Sequence, residues 1–375
     1  MSFKVHLLNL DIAFQHICHI NSKLANKLNL EKGEFAQMHH QGKNLGITII
    51  IDENISDETV GILPNTADDL KIKASDKIQL GTLKTSPSIK YIKEKLDGKP
   101  LNAEQIDKII YDVVHDNLDK PTQAYFIAGC YTHQLNDQET ADLTKAIVAN
   151  GQRLKQIPNE IIIDKHCIGG VPGNRTTMLI VPIIAAAGLK IPKTSSRSIT
   201  SPAGTADTME CICNVTVEAK DLNKILAKAN GFIAWGGGVD IAAADDKLIQ
   251  LRRRIGLDPE GMMLASIMAK KFAAGSKIVL IDIPVGPNAK VKDLPHALNL
   301  KQRFENIGKL LEMQVNVIIT DGSAPIGHGI GPALEAIDIM QVLENDPKAP
   351  QELKEKSLKL SGILLEMSGK ADLDQ

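Results

Sequence analysis

The sequence predicts a multidomain α/β protein with a small N-terminal β-barrel-like domain, a helical domain and a mainly parallel α/β sheet domain. Three observations point there. Short β-rich runs broken by turn residues fill the first 84 residues, the apolar period then changes from two to about 3.6, and from Glu160 onward β-branched runs alternate with long helical stretches. At 375 residues the chain is also long for one core.

The N-terminal region contains runs such as Gly46-Ile-Thr-Ile-Ile-Ile51 and a faint internal repeat at an offset of 42. Ala25, Leu28, Leu30 and Glu34 match Ala67, Leu70, Ile72 and Asp76. Each copy reads as a short helix leading through a polar turn into a strand, as expected of a pseudo-symmetric barrel spanning residues 1–84; chance similarity within a small β domain is the alternative.

After Lys84-Thr-Ser-Pro87, Ile89, Ile92 and Leu96 fall on one helical face. Asn102 with Gln105 forms a capping-box pattern before Ile106, Ile109, Ile110 and Val113, and Asn136 to Asp142 opens another helix through Ile147. A helical domain is therefore expected over residues 88–155, completed by about 244–275. The runs Ile161-Ile-Ile163, Lys277-Ile-Val-Leu-Ile281 and Val315-Asn-Val-Ile-Ile319 predict parallel strands in a sheet domain over 158–243 and 276–375.

Bulk properties exclude several function classes. Hydrophobic residues make up 43% and charged residues 23%, which is ordinary for a soluble globular chain. A formal net charge of −2 gives no basis for a nucleic-acid partner. Cys18, Cys130, Cys167, Cys211 and Cys213 are odd in number and unevenly spaced, so they read as reduced thiols of a cytoplasmic protein rather than a disulfide framework or a metal site. Met1 to Asp11 lacks the pattern of an export signal, and no apolar run is long enough to span a membrane.

Directly after the expected first sheet strand comes Asp164-Lys-His-Cys-Ile-Gly-Gly-Val-Pro-Gly-Asn-Arg-Thr-Thr177, then an apolar helix. A strand, a glycine-rich loop and a helix make an anion site, because backbone N–H groups and the helix N-terminus converge there, and Lys165 adds a full charge. Neither the P-loop nor the dinucleotide fingerprint fits, and a merely structural turn is the alternative. A second segment, Lys193-Thr-Ser-Ser-Arg-Ser-Ile-Thr-Ser-Pro-Ala-Gly-Thr-Ala-Asp-Thr-Met-Glu210, concentrates hydroxyls suited to phosphate, or else forms a capped Ser/Thr-rich loop.

These segments together resemble the thymidine phosphorylase family: Asp-Lys-His-x-x-Gly-Gly, then Ser-x-Arg, then Gly-Thr-x-Asp-x-x-Glu. The N-terminal domain, with Val171-Pro-Gly-Asn174 and Asp258-Pro-Glu-Gly261, is similar to the family's AMP phosphorylase branch. The resemblance implies that Lys165, Cys167, Thr177, Ser195 and Thr205 hold inorganic phosphate, with Cys167 where the family usually has serine. A thiol is the weaker donor. It also implies that His166 assists departure of the base, a task suited to an imidazole titrating near neutrality, and that Ser266 and Lys270 contact the base together with Arg253 or Arg252.

By the same resemblance, Trp235-Gly-Gly-Gly-Val-Asp240 and Ala244-Asp-Asp-Lys247 form a hinge loop, for which a plain surface loop is the alternative. The family uses phosphate as co-substrate without a cofactor or metal, acts on a nucleoside or nucleoside 5′-monophosphate, and forms homodimers. Its members continue beyond the position of Gln375, so this chain resembles a truncated form. Thymidine is the expected substrate, AMP the second reading, and a catalytically weak nucleotide-binding protein the reading from a different class.

Overall fold

The computed structural model describes residues 2–8, 16–74, 76–82, 86–154, 160–198, 203–236 and 243–371. They divide into two compact units, Met1–Gln134 with Lys247–Pro259, and Leu135–Asp246 with Glu260–Gln375.

In the first unit, six strands close a barrel: β1 (Ser2–Leu7), β2 (Ile17–Ile20), β3 (Phe35–His40), β4 (Lys43–Ile51), β5 (Thr59–Ile62) and β6 (Lys77–Thr82), in the order β1-β5-β2-β4-β3-β6. The repeat is real and reaches individual hydrogen bonds. α1 (Ser22–Leu28) and α2 (Pro64–Leu70) end on the left-handed residues Asn29 (φ 52°) and Lys71 (φ 55°). Leu30 N–H then donates to Ala25 C=O at 3.0 Å, and Ile72 N–H to Ala67 C=O at 2.7 Å. Glu34 and Asp76 likewise accept from the backbone N–H groups of Glu31 and Lys73, at 2.7 and 2.9 Å. Alternate strand residues, among them Val5, Ile47, Ile49, Val60, Ile62 and Ile78, fill the barrel core.

Three helices complete this unit: α3 (Pro87–Leu96), α4 (Ala103–Val114) and α5 (Lys120–Thr132). The Asn102–Gln105 capping box forms as expected, and Ile106, Ile109, Ile110 and Val113 are buried. Ile89 does not follow expectation. It is 44% exposed, and Ser88 takes the inward place because its hydroxyl donates to the buried Asp112 carboxylate at 2.7 Å.

The second unit is α/β. Its strands are β7 (Ile163–Cys167), β8 (Ile191–Ser195), β9 (Gly231–Trp235), β10 (Ile278–Val285) and β11 (Gln314–Asp321), all paired in parallel. Its helices are α6 (Asp137–Ala149), α7 (Thr176–Ala186), α8 (Thr205–Glu210), α9 (Ala219–Ala229), α11 (Glu260–Ala273), α12 (Leu294–Leu310), α13 (Pro332–Leu343) and α14 (Gln351–Met367). The division between units runs through α10 (Ala243–Ile255), after Asp246.

β11-β10-β7 form one sheet and β8-β9 another, joined by a parallel bridge between Ile162 and Lys190. The strand order is thus β11-β10-β7-β8-β9. Ile163 and Leu280 face a core shared with α7, α13 and α14, whereas Val279, Ile281 and Ile283 face α11 and α12. Two expectations are corrected here. The first sheet strand runs two to four residues later than the Ile161–Ile163 run, because Ile161 is 46% exposed and pairing continues through Cys167. Part of the hydroxyl-rich segment is not loop, since Lys193 to Ser195 lie in β8 and Thr205 to Glu210 in α8. The glycines at 237 and 238 of the expected hinge lie outside the described residues.

Candidate active site

The parallel order places Cys167, Ser195, Trp235, Val285 and Asp321 at one carboxyl edge, where ligands of open α/β sheets bind. Lys165, His166 and Cys167 stand on β7 itself, so strand alternation sends Lys165 and Cys167 to one face and Asp164 and His166 to the other.

On the face covered by α7 and α14, Lys165 is 1% exposed. Its ammonium donates to Thr176 Oγ1 at the start of α7, at 2.8 Å, and stands 3.7 Å from Asp282 Oδ2. Asp282 is fully buried beside Cys167 in register, and its Oδ1 accepts from Thr320 Oγ1 at 2.6 Å. Burial works to raise the Asp282 pKa, but Lys165, Lys356 and the Thr320 hydrogen bond outweigh it and hold the carboxyl below its usual range. Burial pushes the Cys167 thiol up to about 11, helped by the Asp282 charge, and Asn174 Nδ2 donates to its sulfur at 3.3 Å.

On the opposite face the Asp164 carboxylate holds two buried lysines, Lys271 at 2.7 Å and Lys193 at 3.6 Å. Burial lowers the Lys193 pKa to about 7 against the pull of Asp164, with Lys271 adding to the depression. His166 is depressed well below its ordinary value, first by burial and then by Lys271, Lys193, Lys270 and Lys165. Burial among these cations disfavours the imidazolium, so the fold favours a neutral His166 able to donate an N–H hydrogen bond.

The glycine-rich loop is packed at main-chain distance. Gly170 (φ 94°) leaves no room for a side chain, since a Cβ there would meet Lys290 N at 2.4 Å. Gly173 (φ 72°) is as tight, with Ile326 O at 1.8 Å from the same point. Arg175, buried just before α7, pairs with Glu335 of α13 and donates to Ala203 C=O. The loop is thereby tied to the segment that leads into α8.

Of the other expected site residues, Thr177 is buried in the first turn of α7, Ser195 ends β8 and Thr205 opens α8 behind the Gly204 cap. Ser266 and Lys270 do share a face of α11. Both meet Asp245, with Ser266 Oγ at 2.6 Å and Lys270 Nζ at 3.0 Å from Oδ2. Arg253 belongs to the first unit and is exposed, whereas its neighbour Arg252 is buried and bonded to Asp258 at 2.9 Å. Arg197 is held by Glu210 and Asp207 at 2.7 and 3.0 Å, with its guanidinium 4.8 Å from the Trp235 ring centre.

Sequence reasoning passed over Asp282, Lys271 and Lys356. Asp282 carried a usable signal, a lone charge inside the apolar run Ile278 to Ile283. Lys271 sits beside a lysine already singled out. Lys356 lies in the lysine-rich stretch Leu353-Lys-Glu-Lys-Ser-Leu-Lys359, where nothing marks one lysine as buried. Among the described residues, no group of three His, Cys, Asp or Glu could hold a metal ion, and no helix is long and apolar enough to cross a membrane.

Comparisons with known proteins agree with this architecture. Residues 159–258 match the α/β domain of a glycosyl transferase family, and residues 89–151 match its helical bundle domain. A protein of Legionella pneumophila (strain Corby) named "Putative thymidine phosphorylase" is 42% identical over 356 residues, which is 95% of this chain and 68% of that protein. Its namesake from strain Paris is 45% identical over 324 residues, 86% of this chain and 62% of that one. The AMP phosphorylase of Methanococcus maripaludis (strain C7) is 39% identical over 336 residues, 90% of this chain and 66% of that protein. This chain therefore spans about two thirds of these relatives. The anthranilate phosphoribosyltransferase of Thermus thermophilus shares the fold at a TM-score of 0.63 and 14% identity, over 75% of this chain and 89% of that one. The chain belongs to the thymidine phosphorylase family of glycosyl transferases, which also holds the relatives named AMP phosphorylase.

Proposed function

We propose that the protein is a phosphorolytic pentosyltransferase. The carrying observation is Lys165, a buried ammonium presented beside a glycine-rich loop at the N-terminus of α7 and only partly neutralised by Asp282. A helix N-terminus, close-packed glycines and a full positive charge together favour a small anion. Dihydrogen phosphate bound there attacks the anomeric carbon of a nucleoside, the C–N bond breaks with its electron pair going to the base, and the base takes up the proton that the phosphate gives up. The products are a free base and a pentose 1-phosphate. Thr177, Ser195 and Thr205 supply further hydroxyls at the same carboxyl edge, and Ser266 and Lys270 hold the base after leaving Asp245. His166 stabilises the departing base with an N–H hydrogen bond. No covalent enzyme intermediate is needed, so positioning and charge stabilisation are the protein's tasks.

Thymidine is the substrate we favour, giving thymine and 2-deoxyribose 1-phosphate. The relatives of that name are 42% and 45% identical, against 39% for the AMP phosphorylase quoted above. The pairing of Arg197 and Arg252 with carboxylates also counts against a waiting pocket for a 5′-phosphate. AMP, giving adenine and ribose 1,5-bisphosphate, is the second reading. It is supported by the N-terminal domain and by identity over 90% of the chain. Action as a cytoplasmic homodimer belongs to the same proposal and rests on the family resemblance.

The test is product formation from thymidine, uridine, AMP and CMP with and without inorganic phosphate. Phosphate-dependent release of base is expected, with thymidine preferred. Equal rates without phosphate would show a hydrolase, and binding without turnover would show a nucleotide-binding protein. AMP turned over tenfold more efficiently than thymidine, about 1.4 kcal/mol in transition-state stabilisation, reverses the substrate ranking.

A further inference from the structure

Asp282 has two cations and not one. Besides Lys165 at 3.7 Å, the ammonium of Lys356 on α14 stands 3.4 Å from the same Oδ2. Lys356 also donates to Thr320 Oγ1 at 3.1 Å, the hydroxyl that itself donates to Asp282 Oδ1. Lys356 is nearly buried, with 12% of its side chain exposed. Lys165, by contrast, spends its hydrogen bond on Thr176 and keeps the longer approach to Asp282.

A buried carboxylate left without a counter-ion is strongly destabilising. If Lys165 were the sole partner of Asp282, turning its ammonium to a ligand would strand that charge. With Lys356 in place the carboxylate stays neutralised, and the face keeps one net positive charge to offer an anion.

We propose that Lys356 is a positioning residue: it is the standing counter-ion of Asp282, and so it leaves the Lys165 ammonium available to an anion at the glycine-rich loop. The inference rests on reading that loop as a phosphate site. Lys356 acts through Asp282 and does not touch the phosphate.

Titration calorimetry with inorganic phosphate tests this on the whole chain, its Lys356→Met and Asp282→Asn variants, and the double variant. Lys356→Met is expected to weaken phosphate binding at least tenfold, as Lys165 is drawn onto Asp282, while Lys356→Arg keeps most of the affinity. Adding Lys356→Met to Asp282→Asn is expected to change binding by less than threefold. Equal losses in both backgrounds would place Lys356 on the phosphate itself, and no loss in either would remove its role; both overturn the proposal. Should Lys356→Met alone fail to fold, the comparison of Asp282→Asn with the double variant still decides. Absence of phosphate binding by the parent chain overturns the inference together with the loop reading. The expected coupling without nucleoside turnover sinks only the proposed function, and phosphate-dependent turnover without the coupling sinks only the inference.

Discussion

The barrel and the sheet use similar β-branched strands, yet they treat charge in opposite ways. In the barrel the buried polar side chains are Asn21, His40 and Thr66, and no lysine, arginine or carboxylate is buried among its described residues. The sheet buries Asp164, Lys165, Lys193 and Asp282 on its strands and Lys271 on α11. Stability alone does not call for this, since buried ion pairs seldom outperform apolar packing. Buried charges clustered on the strands of a parallel sheet are instead what a site for a charged ligand favours.

The largest effect expected from breaking that contrast is at Asp164. Asp164→Ala leaves Lys193 and Lys271 buried with their shared carboxylate gone, and a loss of about 3–5 kcal/mol in denaturant unfolding is expected. In the barrel, Ile49→Val removes one methylene from a fully buried site and should cost only about 0.5–1.5 kcal/mol. Were Asp164→Ala no worse than Ile49→Val, the two regions would not differ as argued.

Lys165→Ala separates function from stability. Asp282 keeps Lys356, so the fold should survive, while the loss of a charge-assisted contact lowers kcat/KM for phosphate by roughly tenfold to a hundredfold, about 1.5–3 kcal/mol. Retention of full turnover would remove Lys165 from the phosphate site.

How much of this was legible in the sequence follows from how local each signal is. The barrel's repeat was readable because each copy carries its own helix, left-handed turn and acidic cap within a dozen residues. The capping box at Asn102 and the helix start at Asn136 were readable for the same reason. In the sheet, the glycines of the Asp164 to Thr177 segment carried the expectation of an anion site, but the partners of its charges come from β8, β10, α11 and α13. A pairing between residues as distant as Arg175 and Glu335 leaves no trace in spacing. β8 and β9 escaped for another reason: Ile191-Pro-Lys-Thr-Ser195 and Gly231-Phe-Ile-Ala-Trp235 are short and contain Pro or Gly, which are poor strand formers.

His166 offers a pH test of smaller size. Its folded pKa is depressed below the ordinary 6.5, so the fold disfavours the imidazolium, and the associated stability is present above pH 6.5 and lost as pH falls below it. The melting temperature of the parent chain should fall more between pH 7 and pH 5.5 than that of His166→Gln. A phosphate bound at the Lys165 loop adds negative charge beside β7, which carries His166, so NMR titration should show the His166 pKa rising on phosphate addition. An unmoved pKa would place the anion away from this edge.

The smallest effect is expected at Cys167, which stands where the motif leads one to expect serine. With its thiol pushed up to about 11, Cys167 is protonated and uncharged at pH 7, and it is a weak donor whose sulfur already accepts from Asn174. Serine is smaller and a better donor, and it can accept the same Asn174 hydrogen bond at a shorter distance. Cys167→Ser should therefore tighten phosphate binding or leave it alone, with a change in Kd of about threefold or less, roughly 0.6 kcal/mol. The protonated thiol should also react with iodoacetamide more slowly than the exposed Cys211 at pH 7, as peptide mass spectrometry would read. Damage on the scale of Lys165→Ala would mean that the sulfur, and not the position, is what the site needs; the serine equivalence drawn from the motif would then fail.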